Sequence, residues 1–194
     1  MAEVIKISNK DALSKAVTLL AKGGVIVYPT ETSYGLGVDA ENDRAVKKII
    51  TIKKRNKNKK ISVAFSDLKM AKKYLVVTKD AEKLCKAFLP GPLTLLVESK
   101  NHKIVGFRIP DHKFVLSLIR KLGKPITATS ANISGEGDLY KIKDVIKIFD
   151  KKSDLIIDGG NLMKRKPSTV YDVTERKVIR KGPIPEKRIN AVLA

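Results

Sequence analysis

The chain has no tryptophan, one cysteine and two histidines in 194 residues, and these shortages exclude whole classes of chemistry. A lone thiol, Cys85, cannot form an internal disulfide, so the sequence suits a reducing cytosol and is not a disulfide scaffold. His102, His112 and Cys85 are scattered, which leaves neither a zinc-ligand set nor a serine-histidine-aspartate arrangement. Cys85 lies in EKLCKAF at helical spacing from Ala81 and Phe88, a core position and not a nucleophile's setting. No apolar run approaches the roughly 18 residues that begin to suggest a membrane span. The opening MAEVIKIS lacks the basic-then-apolar order of a secretory signal, so a cytoplasmic protein with no membrane partner is expected. Five tyrosines and five phenylalanines, mostly at core spacing, are too few for a base-stacking platform. Both phosphate-loop patterns are missing: Gly35-Leu36-Gly37 and Gly135-Glu136-Gly137 each lack a third glycine, and no glycine-lysine-serine/threonine run occurs.

Acidic residues are also scarce, 20 against 40 basic ones, for a formal charge of +20. Such an excess makes nucleic acid or another polyanion the first partner to consider, and binding of duplex RNA or tRNA is the alternative function to weigh. Placement weakens that reading. Pairs such as Lys47-Lys48, Lys72-Lys73 and Lys151-Lys152 fall on the polar sides of amphipathic segments, as solvated faces do.

What is present is organised around VIVYPTETSYGLG, residues 25–37. Val25, Ile26 and Val27 read as a strand buried on both faces, and Pro29 ends its pairing. Thr30, Glu31, Thr32, Ser33 and Tyr34 then form a polar loop where open α/β sheets collect ligands, with Gly35 and Gly37 permitting close approach. Around this stretch the periodicity predicts a strand at 3–7, a helix capped by Ser8 or Asn9, and a helix opened by Asn42 or Asp43 that ends at Lys53-Lys54-Arg55. A polar loop over 56–60 leads to a strand at 61–65. Ser66 and Thr78 open two short helices, and Leu89-Pro90-Gly91-Pro92 turns the chain into the strand 93–98. A strand at 105–109 holds Arg108 among apolar neighbours, where a guanidinium needs a partner or a ligand. His112 reads as a surface residue opening the helix 114–122, and His102 as a hairpin residue. A second short strand, 126–129, empties into Ser130-Ala131-Asn132-Ile133-Ser134-Gly135. A helix at 138–149, a strand at 155–157, a basic loop at 164–166, a hairpin of 168–173 with 177–180, and a last helix from Pro185 to Leu193 complete the chain. The fold class is α/β, a twisted mixed parallel/antiparallel sheet with flanking helices, in one domain over 1–194.

No acid-base pair stands out. Lys53, Arg55, Arg108 and Arg180 all lie at the ends of predicted elements, and Thr32, Ser130, Asn132 and Ser168 supply hydroxyls and an amide. Several cations with few titratable partners suit a reaction driven by positioning and charge stabilisation, as phosphoryl and nucleotidyl transfers are.

PTET-x-YGLG at 29–37, Lys53-x-Arg55, PGPLT at 90–94, Arg108-x-Pro110, SAN-x-SG at 130–135, Ser168-Thr169-Val170 and Arg180-x-Gly182 occur in the order of the YrdC-like family, the threonylcarbamoyl-AMP synthases, which the sequence resembles over 25–182. The resemblance implies a YrdC-like fold with a basic concave groove, in the short form without the extra C-terminal domain of longer members. It implies that L-threonine, bicarbonate and ATP, with Mg²⁺, become threonylcarbamoyl-adenylate and pyrophosphate, which supplies a separate transferase that modifies tRNA adenosine 37. On these residues it implies that Thr32, Arg108 and Ser168 contact threonine. Lys53 and Arg55 hold ATP phosphates as the catalytic cations, and Ser130, Asn132 and Arg180 complete the nucleotide side, with no protein metal ligand assigned. Some positions depart from the family wording. Ser33 stands where a valine is frequent, and Lys59 and Ala64 stand roughly where longer members have an asparagine-proline pair and then a histidine, so neither of these two is assigned to the site. The basic loop between Asn161 and Ser168 is expected to act as a mobile cover.

Overall fold

The computed structural model describes residues 1–56 and 61–194; Lys59 and most of the polar loop expected at 56–60 lie outside the described residues. In chain order the elements are β1 (Glu3–Lys6), α1 (Ala12–Ala21), β2 (Ile26–Pro29), β3 (Tyr34–Gly37), α2 (Asp43–Ile52), β4 (Val63–Ala64), α3 (Leu68–Tyr74), α4 (Lys79–Phe88) and β5 (Leu93–Glu98). There follow β6 (Ile104–Arg108), α5 (Lys113–Leu122), β7 (Ile126–Thr127), β8 (Thr129–Ser130), α6 (Ile142–Phe149), β9 (Leu155–Asp158), β10 (Thr169–Asp172), β11 (Lys177–Arg180) and α7 (Glu186–Leu193). One sheet has the order β1-β9-β2-β3-β8 and the other β11-β10-β5-β6-β4-β7. Both are mixed: β1, β9 and β2 run parallel while β2, β3 and β8 pair antiparallel, and β10 lies parallel to β5 but antiparallel to β11.

Residues 126–130 pass directly from one sheet to the other. They enter as β7 against β4 and leave as β8 against β3. Between them Thr127 donates its N–H to Val38 O at 3.0 Å and takes Val38 N–H on Oγ1 at 3.1 Å.

Period-two alternation along β2 divides the interior. Ile26 and Tyr28 enter one apolar cluster with Leu20, Ala71, Leu84, Leu118 and Ile189 from α1, α3, α4, α5 and α7. Val25 and Val27 enter the other with Ile49 of α2 and Val145 and Phe149 of α6. Truncating a side chain as buried as Phe149 costs about 3–5 kcal/mol, so each cluster is a true core. Cys85 sits in the first, where burial pushes its thiol up to about 12.

The PTETSYGLG stretch is a hairpin and not one long loop: β3 pairs with β2 from Pro29 opposite Tyr34 to Ile26 opposite Gly37. Only residues 30–33 form the bend. The glycines are needed because the Tyr28 ring lies over them; a Cβ at Gly35 or Gly37 would come within 3.0 or 2.6 Å of it. Helix ends show where local signals sufficed. Asn42 and Thr78 accept from the N–H groups of Ala45 and Ala81, as expected. Asp67, not Ser66, caps α3 by accepting from Met70 N–H at 2.8 Å, and Ser66 donates to its carboxylate. Neither Ser8 nor Asn9 caps α1; Asp11 holds that position, and Asn9 Oδ1 takes its N–H. Helix α6 begins at Ile142, because residue 139 is drawn off to give its carbonyl to Tyr34 N–H at 3.0 Å. Among the described residues no helix is long and apolar enough to cross a membrane.

Candidate functional site

Where the two sheets meet, a cavity of about 410 Å³ opens at the end of β2. Its wall takes Thr30, Thr32 and Ser33 from the hairpin bend, Ser130 from β8, Thr94 from β5, Arg108 from β6, Ser168 just before β10 and Arg180 from β11, with Arg55 just beyond α2. Segments far apart in sequence thus converge there. Six of the expected site residues line it: Thr32, Arg55, Arg108, Ser130, Ser168 and Arg180.

Lys53 and Asn132 do not. Lys53 was expected on phosphates, yet its side chain lies behind the wall and its ammonium donates to Ser130 O at 2.6 Å, Asn132 O at 2.8 Å and Asn132 Oδ1 at 2.7 Å. All three donors of the group find acceptors, which explains how a lysine can be 2% exposed. Burial, then the neighbouring Arg55, lowers its pKa to about 8. Asn132 in turn accepts from Ser130 Oγ at 2.8 Å and donates to Glu136 O at 2.5 Å, and Lys53 O takes Ser134 N–H at 2.8 Å. The SAN-x-SG run is therefore a turn wrapped around the end of Lys53, with Gly135 at φ +94°. The lysine-x-arginine spacing has the same origin. Lys53 caps α2, Lys54 takes φ +49°, and this reversal delivers Arg55 to the cavity.

Arg180 is held from the side by Ser168, whose carbonyl accepts from Nε at 3.0 Å and Nη2 at 2.8 Å and whose hydroxyl accepts from Nη2 at 3.1 Å. Ser168 Oγ also lies 2.8 Å from Thr94 Oγ1. Gly182 is required two residues on, since a Cβ there would fall 2.3 Å from Thr169 N. Burial lowers the pKa of both Arg55 and Arg180; on Arg180 the Asp138 carboxylate opposes the shift and Arg108 adds to it.

Arg108 has both a partner and a face on the cavity. Its Nη2 donates to Glu31 of the hairpin bend, and both side chains are nearly buried. Glu31 Oε2, Arg108 Nε and His112 Nδ1 are buried atoms without a hydrogen-bond partner. His112 is half-buried and not a surface residue; burial lowers its pKa against the opposing pull of Glu31 and Asp111. His102 is exposed and pairs with Glu98, as a hairpin residue should.

Three contributors were not assigned from sequence. Glu31 was visible as a carboxylate in a ligand-bearing bend but had no role. Thr94 lay inside PGPLT without a function of its own. Asp138, among the described residues the only carboxylate lining the cavity, was read as the start of a helix. Ala64 lines the wall opposite Arg108 in the β4–β6 pairing, leaving a methyl group there. The segment expected to be a cover is tied down on one side: Leu162 N–H bonds Tyr140 O at 2.8 Å and Tyr140 Oη bonds Arg165 O at 3.1 Å.

Comparison with known proteins identifies the family. A family model named for Sua5, YciO and YrdC and described as "Telomere recombination" matches residues 18–182. A Methanocaldococcus jannaschii protein named putative threonylcarbamoyl-AMP synthase is 34% identical, with 96% of each chain covered. The Bacillus subtilis threonylcarbamoyl-AMP synthase is also 34% identical over 96% of this chain, which spans 58% of that protein. The crystal structure of P. abyssi Sua5 complexed with L-threonine superimposes with a TM-score of 0.91 at 30% identity, covering all of this chain and 61% of the other.

Proposed function

The chain belongs to the Sua5/YciO/YrdC family, and on that premise we propose that it is a threonylcarbamoyl-AMP synthase, a nucleotidyltransferase acting in the cytosol for tRNA modification. The observation that carries the reading is the convergence of Arg55, Arg108 and Arg180 with Thr32, Ser130 and Ser168 on one cavity, backed by a turn built on Lys53. That set can bind the carboxylate of one substrate and the phosphates of another side by side.

Arg108 takes the carboxylate of threonine, and the hydroxyls of Thr32 and Ser168 orient the rest of the amino acid. Arg55 and Arg180 take the phosphates of ATP, with Ser130 on the nucleotide. Lys53 and Asn132 shape this side by fixing the turn. The threonine amine combines with bicarbonate or carbon dioxide to give a carbamate and water or a proton. A carbamate oxygen then attacks the α-phosphorus, the bond to the β-phosphate oxygen breaks, and pyrophosphate leaves with the electron pair. The protein's share is proximity and cationic stabilisation of that leaving group, terms that together supply many orders of magnitude. Magnesium bound with ATP supplies further charge neutralisation on the phosphates. The donor set fits such an ion held chiefly by phosphate oxygens and water, since Asp138 is the one carboxylate at the cavity and no cluster of three acidic, histidine or cysteine residues exists among the described residues.

The test is to incubate the protein with ATP, Mg²⁺, bicarbonate and either threonine or serine, and to read the adenylate by mass spectrometry. A threonine-dependent product of the carbamoyl-adenylate mass is expected. Pyrophosphate release that ignores the amino acid would overturn the assignment.

A further inference from the structure

We propose that Glu31 partitions the cavity by charge: it holds Arg108 in place and cancels enough of its field to reserve it for a singly charged carboxylate, keeping phosphate on Arg55 and Arg180. The inference rests on the reading above that Arg108 faces the amino acid.

A buried guanidinium can be held by neutral acceptors or by a counter-charge, and this cavity contains both arrangements. Arg180 is fixed by the neutral carbonyl and hydroxyl of Ser168 and feels the Asp138 carboxylate only from beyond ion-pair distance. Arg108 is fixed by the carboxylate of Glu31 and, weakly, by Gly91 O at 3.4 Å. Its side chain is 11% exposed and that of Glu31 is 9% exposed, so water screens the pair poorly. Glu31 itself does not line the cavity, whereas Arg108 does. Its carboxylate acts from behind, through the arginine and not on the ligand.

Two consequences follow from elementary electrostatics. A phosphate with nearly two charges suffers more repulsion from Glu31 than a carboxylate with one, so the pair discriminates by charge number. The hairpin bend that carries Glu31 also carries Thr32, so one short turn both supplies a hydroxyl to the amino acid and aims the arginine opposite. ATP brings three phosphates into a cavity with three arginines, and without such a device a phosphate would compete for the amino-acid end.

Position and charge separate in two variants. Glu31→Gln keeps an acceptor for the guanidinium and removes the negative charge; Glu31→Ala removes both. Inorganic phosphate and threonine are titrated calorimetrically into wild type, each variant and the double variant Glu31→Gln/Arg108→Ala. Glu31→Gln is expected to bind phosphate about tenfold or more tightly than wild type, from the usual strength of a hydrogen bond to a charged group. Threonine should displace that phosphate, and the gain should vanish in the double variant. Glu31→Ala should lose about tenfold in threonine affinity as well, with glutamine but not alanine preserving it. Equal phosphate affinity in wild type and Glu31→Gln, or a gain that survives loss of Arg108, overturns the proposal. Phosphate binding needs no turnover, so an absence of threonine-dependent adenylate in wild type would defeat the activity assigned above and leave the charge partition to be judged on its own titration.

Discussion

Around the cavity each lysine or arginine with a described partner is held in one orientation: Lys53 by three acceptors, Arg180 by Ser168, Arg108 by Glu31. At the start of β2, at the other end of the strand, a shallow depression is lined by Arg44, Lys47, Lys48, Lys54, Lys151 and Lys152, all of them exposed. No ion pair among the described residues reaches any of these six, although Lys48 donates to Gly23 O at 2.8 Å, and Asp154 beside them accepts from Val25 N–H on Oδ2 at 2.7 Å. The second region has more positive charge and less architecture. Number of cations is thus a poor guide to function in this chain; what marks the cavity is that its cations are buried, bonded and aimed.

The sharpest way to break that contrast is Arg55→Ala or Arg180→Ala. Each should lower adenylate formation by about 10²–10³-fold, in the range for loss of one group stabilising a transition state, with the melting temperature little changed. Lys53→Met comes next. It removes the ammonium donor from Ser130 O, Asn132 O and Asn132 Oδ1, for a loss of about 1–3 kcal/mol in a urea melt and a KM for ATP raised severalfold. A larger rise in KM with no loss of stability would mean that Lys53 meets the nucleotide directly.

Titration of the same lysine gives a smaller effect. Burial lowers its pKa to about 8 from 10.5, so the folded protein releases this proton first. The unfolded chain binds more protons across that window, and global stability rises as pH rises through it. The neutral amine has one donor fewer than its three acceptors, so nucleotide affinity should fall a few-fold over the same rise, measured with a fluorescent ATP analogue. Stability and affinity moving together would contradict the brace. Smallest of all, Lys47→Ala with Lys151→Ala should change stability by no more than about 0.5 kcal/mol each and leave turnover alone.

Signals carried by neighbours in sequence were readable: the capping side chains of Asn42 and Thr78, the strand 93–98, the glycine stop after α1, and the ordered motifs that later meet at the cavity. Features decided by distant partners were not. Nothing near Gly35 and Gly37 says that Tyr28 will lie over them, so half of the hairpin looked like loop. The residues before Ile142 have helical spacing, but distant partners keep them out of the helix: Tyr34 N–H bonds Leu139 O and Leu162 N–H bonds Tyr140 O. Lys53 and Arg55 look equivalent in sequence, but the backbone reversal at Lys54 sends one inward and the other to the cavity. His112 carries no local sign of the Glu31 field it feels.

The strand 126–130 gives ligand binding a mechanical meaning, because its two ends are stitched to different sheets. A molecule gripped by Ser130 on one side and by Arg108 and Arg180 on the other bridges that stitching from above. Occupancy should therefore tighten the amide protons of Thr127 and Thr129 against exchange with deuterium, and the molecule's two halves should melt as one when loaded more firmly than when empty.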